Sequence, residues 1–176
     1  VRNVPIMAKE AMKVELDRML KDGIIEETEA SEWLSPVVMA RKANGEARLC
    51  IDLRELNKCV VVDRYPLPNI TEMLSSLNGA KHFTMLDLTS AYHQVRLHPN
   101  SQAYTSFITP FGTYKCVRMP FGLISASSVF QRVMERVLKN VDGVRVYQDD
   151  VFVFGKDVIE HDGRLNEVLK HLENWG

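Results

Sequence analysis

The sequence has few of the features that mark disulfide-rich, zinc-binding or membrane-spanning proteins. Its three cysteines, Cys50, Cys59 and Cys116, are an odd number without a Cys-x-x-Cys pair, which indicates reduced thiols rather than a disulfide framework. Its five histidines show neither His-x-x-x-His nor Cys/His spacing, so a zinc site is not predicted. No apolar run approaches the roughly 20 residues of a membrane span. We therefore expect folding without disulfides, zinc or a membrane.

The sequence also lacks internal repeats, low-complexity stretches, an initiator Met and a signal-peptide core. The missing Met suggests a piece excised from a longer chain. The 176 residues are 45% hydrophobic and 26% charged, which is typical of one globular domain or two closely packed subdomains. A formal net charge of −1 neither indicates nor excludes a nucleic-acid partner, because such binding depends on where positive charge is concentrated.

Hydrophobic spacing predicts several helices and short strands along the chain. Helices are expected at about 7–22, 70–77, 125–138 and 159–175. Strands are expected at 37–40 and 49–51, joined at Asn44-Gly45, and also at 83–86, 144–147, 151–154 and in a ribbon over 106–117. Because these elements do not alternate as βαβα, the predicted class is α+β, with helices packed on one face of an antiparallel sheet.

Three carboxylates follow or separate the apolar strands. Asp149 and Asp150 stand between two strands, which by itself is usual for turn residues, and Asp87 ends the strand at 83–86, where a helix cap is the usual role. The apolar flanks predict that these carboxylates lie at the rim of a buried core, where like charges are costly unless protonated or neutralised. If the strands are neighbours, the three carboxylates converge. Such hard oxygen ligands suit Mg²⁺, and paired ions serve phosphoryl transfer.

Four segments resemble motifs of reverse transcriptases and occur in that family's order. Leu-Asp-Leu-Thr-Ser-Ala-Tyr at 86–92 resembles the first catalytic motif, and Tyr-Gln-Asp-Asp at 147–150 resembles the YxDD box. Met-Pro-Phe-Gly-Leu at 119–123, followed by Ser125-Ala126 and Phe130-Gln131, resembles the second palm motif, and 48–58 resembles the fingers motif. The residues of these motifs are most similar to those of gypsy-type LTR retrotransposons. The resemblance covers about residues 24–175.

The resemblance implies a right-hand polymerase fold with fingers and palm, and with the thumb absent. Residues 1–176 would be a partial reverse transcriptase domain. About 1–64 and 99–118 would be fingers-like, and about 65–98 and 119–176 palm-like.

The resemblance also assigns metal and primer contacts. Asp87 and Asp149 would ligate two Mg²⁺ ions, for which Mn²⁺ can substitute, and Asp150 would assist. The backbone carbonyl of Leu88 would complete one coordination shell. Tyr147 and Gln148 would lie near the primer end, with Gln148 in the variable position of the YxDD box.

The incoming nucleotide is assigned a second group of residues. Tyr92 would be a steric gate against the ribose 2′-hydroxyl, with a packed aromatic as the alternative. Phe121 and Gly122 would lie beside the nucleotide. Arg48 would bind the triphosphate through its planar fork, and Lys42 would be a second phosphate contact, with a solvated surface cation as the alternative.

The expected function is that of an RNA-directed DNA polymerase domain that adds dNTPs to a primer 3′-hydroxyl. Its partners would be an RNA or DNA template with primer, dNTP, and RNase H and integrase domains of the same polyprotein, without a membrane. The expected location is intracellular, in the cytoplasm or a virus-like particle. Two alternatives stay open: a non-catalytic nucleic-acid-binding remnant that is degenerate, co-opted or inert because truncated, and another two-metal reaction such as nucleotide cyclisation or hydrolysis.

Overall fold

The computed structural model describes residues 6–29, 31–41 and 47–175. Its helices are α1 (Ile6–Lys21), α2 (Arg54–Cys59), α3 (Ile70–Ser75), α4 (Pro99–Gln102), α5 (Ala126–Val137) and α6 (Val158–Trp175), with 3-10 turns at Ala91–Gln94 and Ala103–Thr105. Its strands are β1 (Ile25–Glu27), β2 (Ser35–Arg41), β3 (Ala47–Ile51), β4 (His82–Asp87), β5 (Phe107–Thr109), β6 (Gly112–Cys116), β7 (Val144–Tyr147) and β8 (Asp150–Gly155). The turn predicted at Asn44-Gly45 lies outside the described residues.

The chain divides into two compact units, each built from two separate stretches of sequence. The first unit comprises Val1–Val62 and Tyr92–Ala126, and the second comprises Asp63–Ala91 and Ser127–Gly176. Each unit is defined by the contacts among its own residues and not by a function. The division into fingers-like and palm-like segments therefore stays a prediction.

The first unit is a sheet covered by α1. The strand order is β1-β6-β5-β2-β3, with antiparallel neighbours except for the parallel pair β2 and β5. Met12, Leu16 and Met19 project from one side of α1 into the buried core, as helical spacing predicts. The helix ends where Gly23 has a φ of +62° and Ile24 N–H donates to the Met19 carbonyl at 2.9 Å, a Schellman ending.

The second unit contains a three-stranded antiparallel sheet in the order β4-β8-β7. Val151 and Val153 of β8 are fully buried on one face. On that face His161 of α6 is hydrogen-bonded to Thr84 at 2.9 Å, so the helix packs there. Successive side chains alternate between faces, and Phe83 and Met85 of β4 are 57% and 61% exposed on the other face. Helices thus cover one face of this antiparallel sheet; the other face is open along β4, whereas Phe154 of β8 is buried there.

The predicted α+β class, with helices packed on one face of an antiparallel sheet, is confirmed. The short strand β1 and the parallel pair of the first unit are additions that the hydrophobic pattern did not predict. Among the described helices, none is both long and apolar enough to cross a membrane.

Candidate active site

The carboxylates Asp87 and Asp150 lie opposite each other in the sheet of the second unit. They are direct partners in the antiparallel register of β4 and β8, and directly opposed residues project on the same face with Cβ atoms about 5 Å apart. Leu88 N–H donates to the Asp149 carbonyl at 3.0 Å, which holds the end of β4 against the following hairpin. The strands that sequence analysis required to be neighbours are therefore paired.

Asp87 and Asp150 lie on the open face of the sheet. Asp87 is exposed, and Asp149 and Asp150 are half-buried. Asp87 was expected at the rim of a buried core, and its strand is buried on one face only: Phe83 and Met85, on the face of Asp87, are exposed. The described residues contain no ion pair of these three carboxylates with a basic side chain. In the described part of the chain, no group of three acidic, histidine or cysteine side chains is arranged to bind a metal ion.

The hairpin between β7 and β8 turns through Gln148 and Asp149. Tyr147 pairs with Asp150, so the loop is two residues long, and Tyr147 shares the open face with Asp150. Gln148 has a φ of +55°, the first loop position of a type II′ turn, where glycine is usual. A residue with a Cβ is strained there, by about 1–2 kcal/mol. The surrounding structure must hold the turn in place.

The turn is held by Gln131 of α5. This side chain is fully buried, at 0% exposure. Its Oε1 accepts the Gln148 backbone N–H at 2.7 Å, and its Nε2 donates to the Val146 carbonyl at 2.9 Å and to Glu135 Oε1 at 2.8 Å. Gln131 stands in the segment that resembles the second palm motif, and no role was predicted for it. The signal that identifies it is a polar residue on the apolar side of an amphipathic helix.

In the first unit, two aromatic rings and a guanidinium form a cluster around the ring of Phe121. The Arg48 Cζ lies 4.2 Å from the centroid of the Phe121 ring, within the range of a cation–π contact. The Tyr92 and His93 rings lie 5.1 Å and 4.9 Å from it, centroid to centroid. The structure thus brings together the predicted residues Arg48, Tyr92 and Phe121 and adds His93, which sequence analysis had treated as an ordinary histidine.

The imidazole of His93 is held neutral by its surroundings. Burial, followed by the positive charges of Arg18 and Arg48, lowers the pKa of His93 to about 4, because all three disfavour a further positive charge. Its Nδ1 is buried without a hydrogen-bond partner among the described residues. A neutral ring can pack against Phe121 beside a guanidinium, whereas an imidazolium would be repelled.

Gly122 follows this cluster in a loop that is clamped by Asn57. Gly122 has a φ of +87°, which explains why glycine occupies this position. Its carbonyl accepts from Asn57 Nδ2 at 2.8 Å, and Asn57 Oδ1 accepts the Ile124 N–H at 2.9 Å. Asn57 lies in the segment 48–58 that resembles the fingers motif, and no role was predicted for it. Lys42, the other predicted phosphate contact, lies outside the described residues.

Opposed carboxylates at a strand end, beside a tight turn that carries a third, are the kind of side chains on which proteins hold paired cations for phosphoryl transfer. Residues 40–176 match the family described as reverse transcriptase (RNA-dependent DNA polymerase), and the chain belongs to that family.

The relatives of known sequence confirm the expected likeness to gypsy-type retrotransposons. The chain is 42% identical over 166 residues to the retrovirus-related Pol polyprotein from transposon gypsy of Drosophila melanogaster, which covers 90% of this chain and 16% of the relative. It is 37% identical over 175 residues to the Pol polyprotein from transposon opus of the same organism, with 96% and 17% covered. The chain thus spans about a sixth of these relatives.

Solved structures share the fold. The crystal structure of a prototype foamy virus protease-reverse transcriptase mutant has a TM-score of 0.90 at 26% identity and covers 99% of this chain and 23% of that chain. The foamy viral enzyme in complex with RNA/DNA hybrid has a TM-score of 0.87 at 25% identity, with 97% and 23% covered. The fingers and palm fold of reverse transcriptases is therefore shown for this chain.

Proposed function

We propose that this chain is part of an RNA-directed DNA polymerase that adds dNTPs to a primer 3′-hydroxyl. The observation that carries the proposal is the pairing of Asp87 with Asp150 on an open sheet face, beside the Gln148-Asp149 turn, in a member of the reverse transcriptase family. The template and primer are proposed as RNA or DNA, in keeping with a related structure described as a complex with RNA/DNA hybrid.

Divalent cations at this edge of the sheet would neutralise its opposed carboxylates. Asp87 and Asp150 are directly opposed like charges, which destabilise a sheet unless they are neutralised, and the described residues supply no basic partner. Asp87 and Asp149 would hold two Mg²⁺ ions, or Mn²⁺ in their place, with Asp150 assisting and the Leu88 carbonyl completing one shell. When bound, such ions lower the pKa of the attacking hydroxyl and neutralise charge on the triphosphate.

The cluster around Phe121 is proposed to bind the incoming dNTP. Arg48 is already oriented by the Phe121 ring, and its fork suits a triphosphate oxygen pair. Tyr92 would exclude a ribose 2′-hydroxyl by its ring, and Gly122, which has no side chain, would let the backbone approach the nucleotide. Lys42 is proposed as a further phosphate contact.

Two residues of the hairpin are proposed to contact the primer. Tyr147 shares the open face with Asp150, and Gln148 begins the turn. In this proposal the polyprotein also supplies RNase H and integrase activities, and its location is the cytoplasm or a virus-like particle.

Primer extension tests the proposal. The chain is assayed by itself and in place of the matching segment of the gypsy Pol polyprotein, on a labelled DNA primer annealed to an RNA template. We expect Mg²⁺-dependent extension that Asp149→Asn lowers by about 10³-fold or more, because a metal ligand contributes several kcal/mol of transition-state stabilisation. Asp142→Asn is the matched control, since Asp142 is an exposed aspartate outside the proposed site.

Three results would contradict the proposal. Equal extension by Asp149→Asn and the unaltered protein would remove the carboxylates from the chemistry. Salt-dependent binding of primer–template without extension in either setting would favour a non-catalytic nucleic-acid-binding remnant. A cyclic or hydrolysed product from labelled dNTP would indicate another two-metal reaction.

A further inference from the structure

We propose that Tyr65, Glu135 and Gln131 form a chain of hydrogen bonds that positions the Gln148-Asp149 turn and so sets the placement of the metal-binding carboxylates. This inference rests on the proposed function, because it concerns the same carboxylates. Neither Tyr65 nor Glu135 belongs to the motifs that carry the family resemblance.

The hydrogen-bonding capacity of Gln131 is matched to its three partners. The Val146 carbonyl and the Glu135 carboxylate can accept hydrogen bonds but cannot donate them, so the amide NH₂ must face them. The amide oxygen is then left for the Gln148 N–H. A flipped amide would oppose two acceptors with an oxygen and leave the Gln148 N–H facing a donor, which is costly in a buried position.

Glu135 and the Val146 carbonyl together fix the direction of the Gln131 amide, and Tyr65 holds Glu135. The Tyr65 hydroxyl donates to Glu135 Oε2, while Oε1 accepts from Gln131. In agreement with this contact, the hydrogen bond to Glu135, aided by burial, raises the pKa of Tyr65. The phenol therefore keeps its proton, and its donor role, at neutral pH.

Tyr65 is itself anchored to α5 by its neighbours. The Arg132 guanidinium lies 5.9 Å from the centroid of the Tyr65 ring and is paired with Asp63 at 2.7 Å. The Tyr65 backbone N–H donates to Asp63 Oδ1 at 3.2 Å. The series of hydrogen bonds thus begins at an anchored residue, Tyr65, and ends at the Gln148-Asp149 turn.

The series of hydrogen bonds acts on the carboxylates through the turn. Gln148 is strained, and Asp149 is tied to β4 by its carbonyl bond to Leu88. Loss of the Gln131 contact would release one side of the turn while the other stays fixed, which rotates Asp149 and Asp150 relative to Asp87. Misplacement by about 1 Å can cost about 10²-fold in rate. Gln131, Glu135 and Tyr65 are therefore positioning residues and do not touch substrate.

Amide hydrogen exchange and Mn²⁺ affinity test this proposal in Gln131→Leu and Tyr65→Phe. The Phe154 N–H, which donates to the Gly143 carbonyl in the same hairpin at 2.9 Å, is the internal reference. We expect Gln148 exchange to rise at least tenfold in Gln131→Leu and several-fold in Tyr65→Phe, with Phe154 unchanged. We expect Mn²⁺ affinity, measured by water proton relaxation, to fall in the same order.

The matched controls make the same two substitutions, Gln to Leu and Tyr to Phe, at positions outside the proposed series of hydrogen bonds. Gln102 donates to the Leu97 carbonyl at 3.3 Å in the first unit, and Tyr104 is half exposed against Trp33. Gln102→Leu and Tyr104→Phe should change neither readout. Should Gln131→Leu fail to fold, Tyr65→Phe, which keeps the ring under Arg132, carries the test.

The outcomes separate this proposal from the proposed function. Unchanged Gln148 exchange, or faster exchange of Gln148 and Phe154 alike, would overturn the positioning role. Faster Gln148 exchange with unaltered Mn²⁺ affinity would also overturn it. If the unaltered protein neither binds Mn²⁺ nor extends a primer, the proposed function fails and the positioning proposal fails with it. If the unaltered protein does both, but the variants change neither Gln148 exchange nor Mn²⁺ affinity, the positioning role alone is contradicted.

Discussion

At the scale of single residues, the surroundings of His93 set its protonation state and thereby its packing. Its ring lies edge-on to Phe121, and burial together with Arg18 and Arg48 lowers the pKa of His93 to about 4. The ordinary pKa of 6.5 describes the unfolded chain. Between these two values the unfolded chain binds a proton that the folded chain does not.

We therefore expect the free energy of unfolding to fall as the pH falls from about 6.5 to about 4 and to level off below that, as far as His93 contributes. The contribution is on the order of 1 kcal/mol once solvent screening of this half-buried ring is allowed for. His93→Phe keeps a ring against Phe121 and should flatten this part of the profile in urea denaturation. His98→Asn, a change of an exposed histidine, should leave it; an unchanged profile in His93→Phe would contradict the assignment.

At the scale of elements, the junction of β8 and α6 depends on close backbone approach. A Cβ on Gly155 would lie 2.6 Å from the His161 backbone nitrogen and 2.8 Å from its Cα. Backbone atoms cannot move aside as the end of a side chain can. By contrast, a Cβ on Gly163, within α6, would meet nothing within 4 Å.

Two alanine substitutions should therefore act in opposite directions. Gly155→Ala forces β8 and the first turn of α6 apart, and we expect a loss of roughly 1–3 kcal/mol in the free energy of unfolding. Gly163→Ala lowers the entropy of the unfolded chain and should add about 0.5–1 kcal/mol. Urea denaturation measures both. Equal effects of the two substitutions would show that the junction is not packed as described.

At the scale of the whole molecule, the proposed cations should contribute to stability. A ligand that binds the folded chain and not the unfolded one stabilises by mass action, by about 2.7 kcal/mol at 100 times its Kd. We expect Mg²⁺ or Mn²⁺ to raise the unfolding temperature of the unaltered protein and to raise that of Asp150→Asn less, because Asp150 assists the proposed ligands Asp87 and Asp149. Without divalent cations Asp150→Asn should be neutral or slightly stabilising, because it removes a like charge opposite Asp87.

Thermal unfolding at constant ionic strength measures this difference, with Asp142→Asn as the control that keeps the response. If Asp150→Asn responds to the cations as fully as the unaltered protein, the stabilisation is a general ionic effect.

The long helices were predicted within one or two residues because their signal is local. The helix predicted at 7–22 is Ile6–Lys21, and that at 159–175 is Val158–Trp175. The strand β1 was missed because its partner is distant: Ile25 pairs with Cys116. The short helix α2 was missed as well, since it buries Leu56 alone among its residues and so has no apolar period to recognise.

The local sequence identified the residues of the candidate site, but it did not identify the residues that hold them in place. Asp87, Asp149, Asp150, Arg48 and Tyr92 stand in recognisable motifs, whose spacing along the chain is a one-dimensional signal. Gln131 and Asn57 act by clamping loops through hydrogen bonds to the backbone. Their partners are distant in sequence, so residue types do not reveal these contacts, although a polar residue on the apolar side of α5 marks Gln131.

The sequence alone determined the family, the α+β class and the identity of the carboxylates. Motifs and hydrophobic periodicity are formed by residues that are close together in the sequence. The tertiary structure decided that Asp87 faces Asp150 on an open sheet face, that His93 is neutral, and that a buried glutamine holds a strained turn. These properties depend on register, burial and distance between residues far apart in the chain, which folding alone establishes.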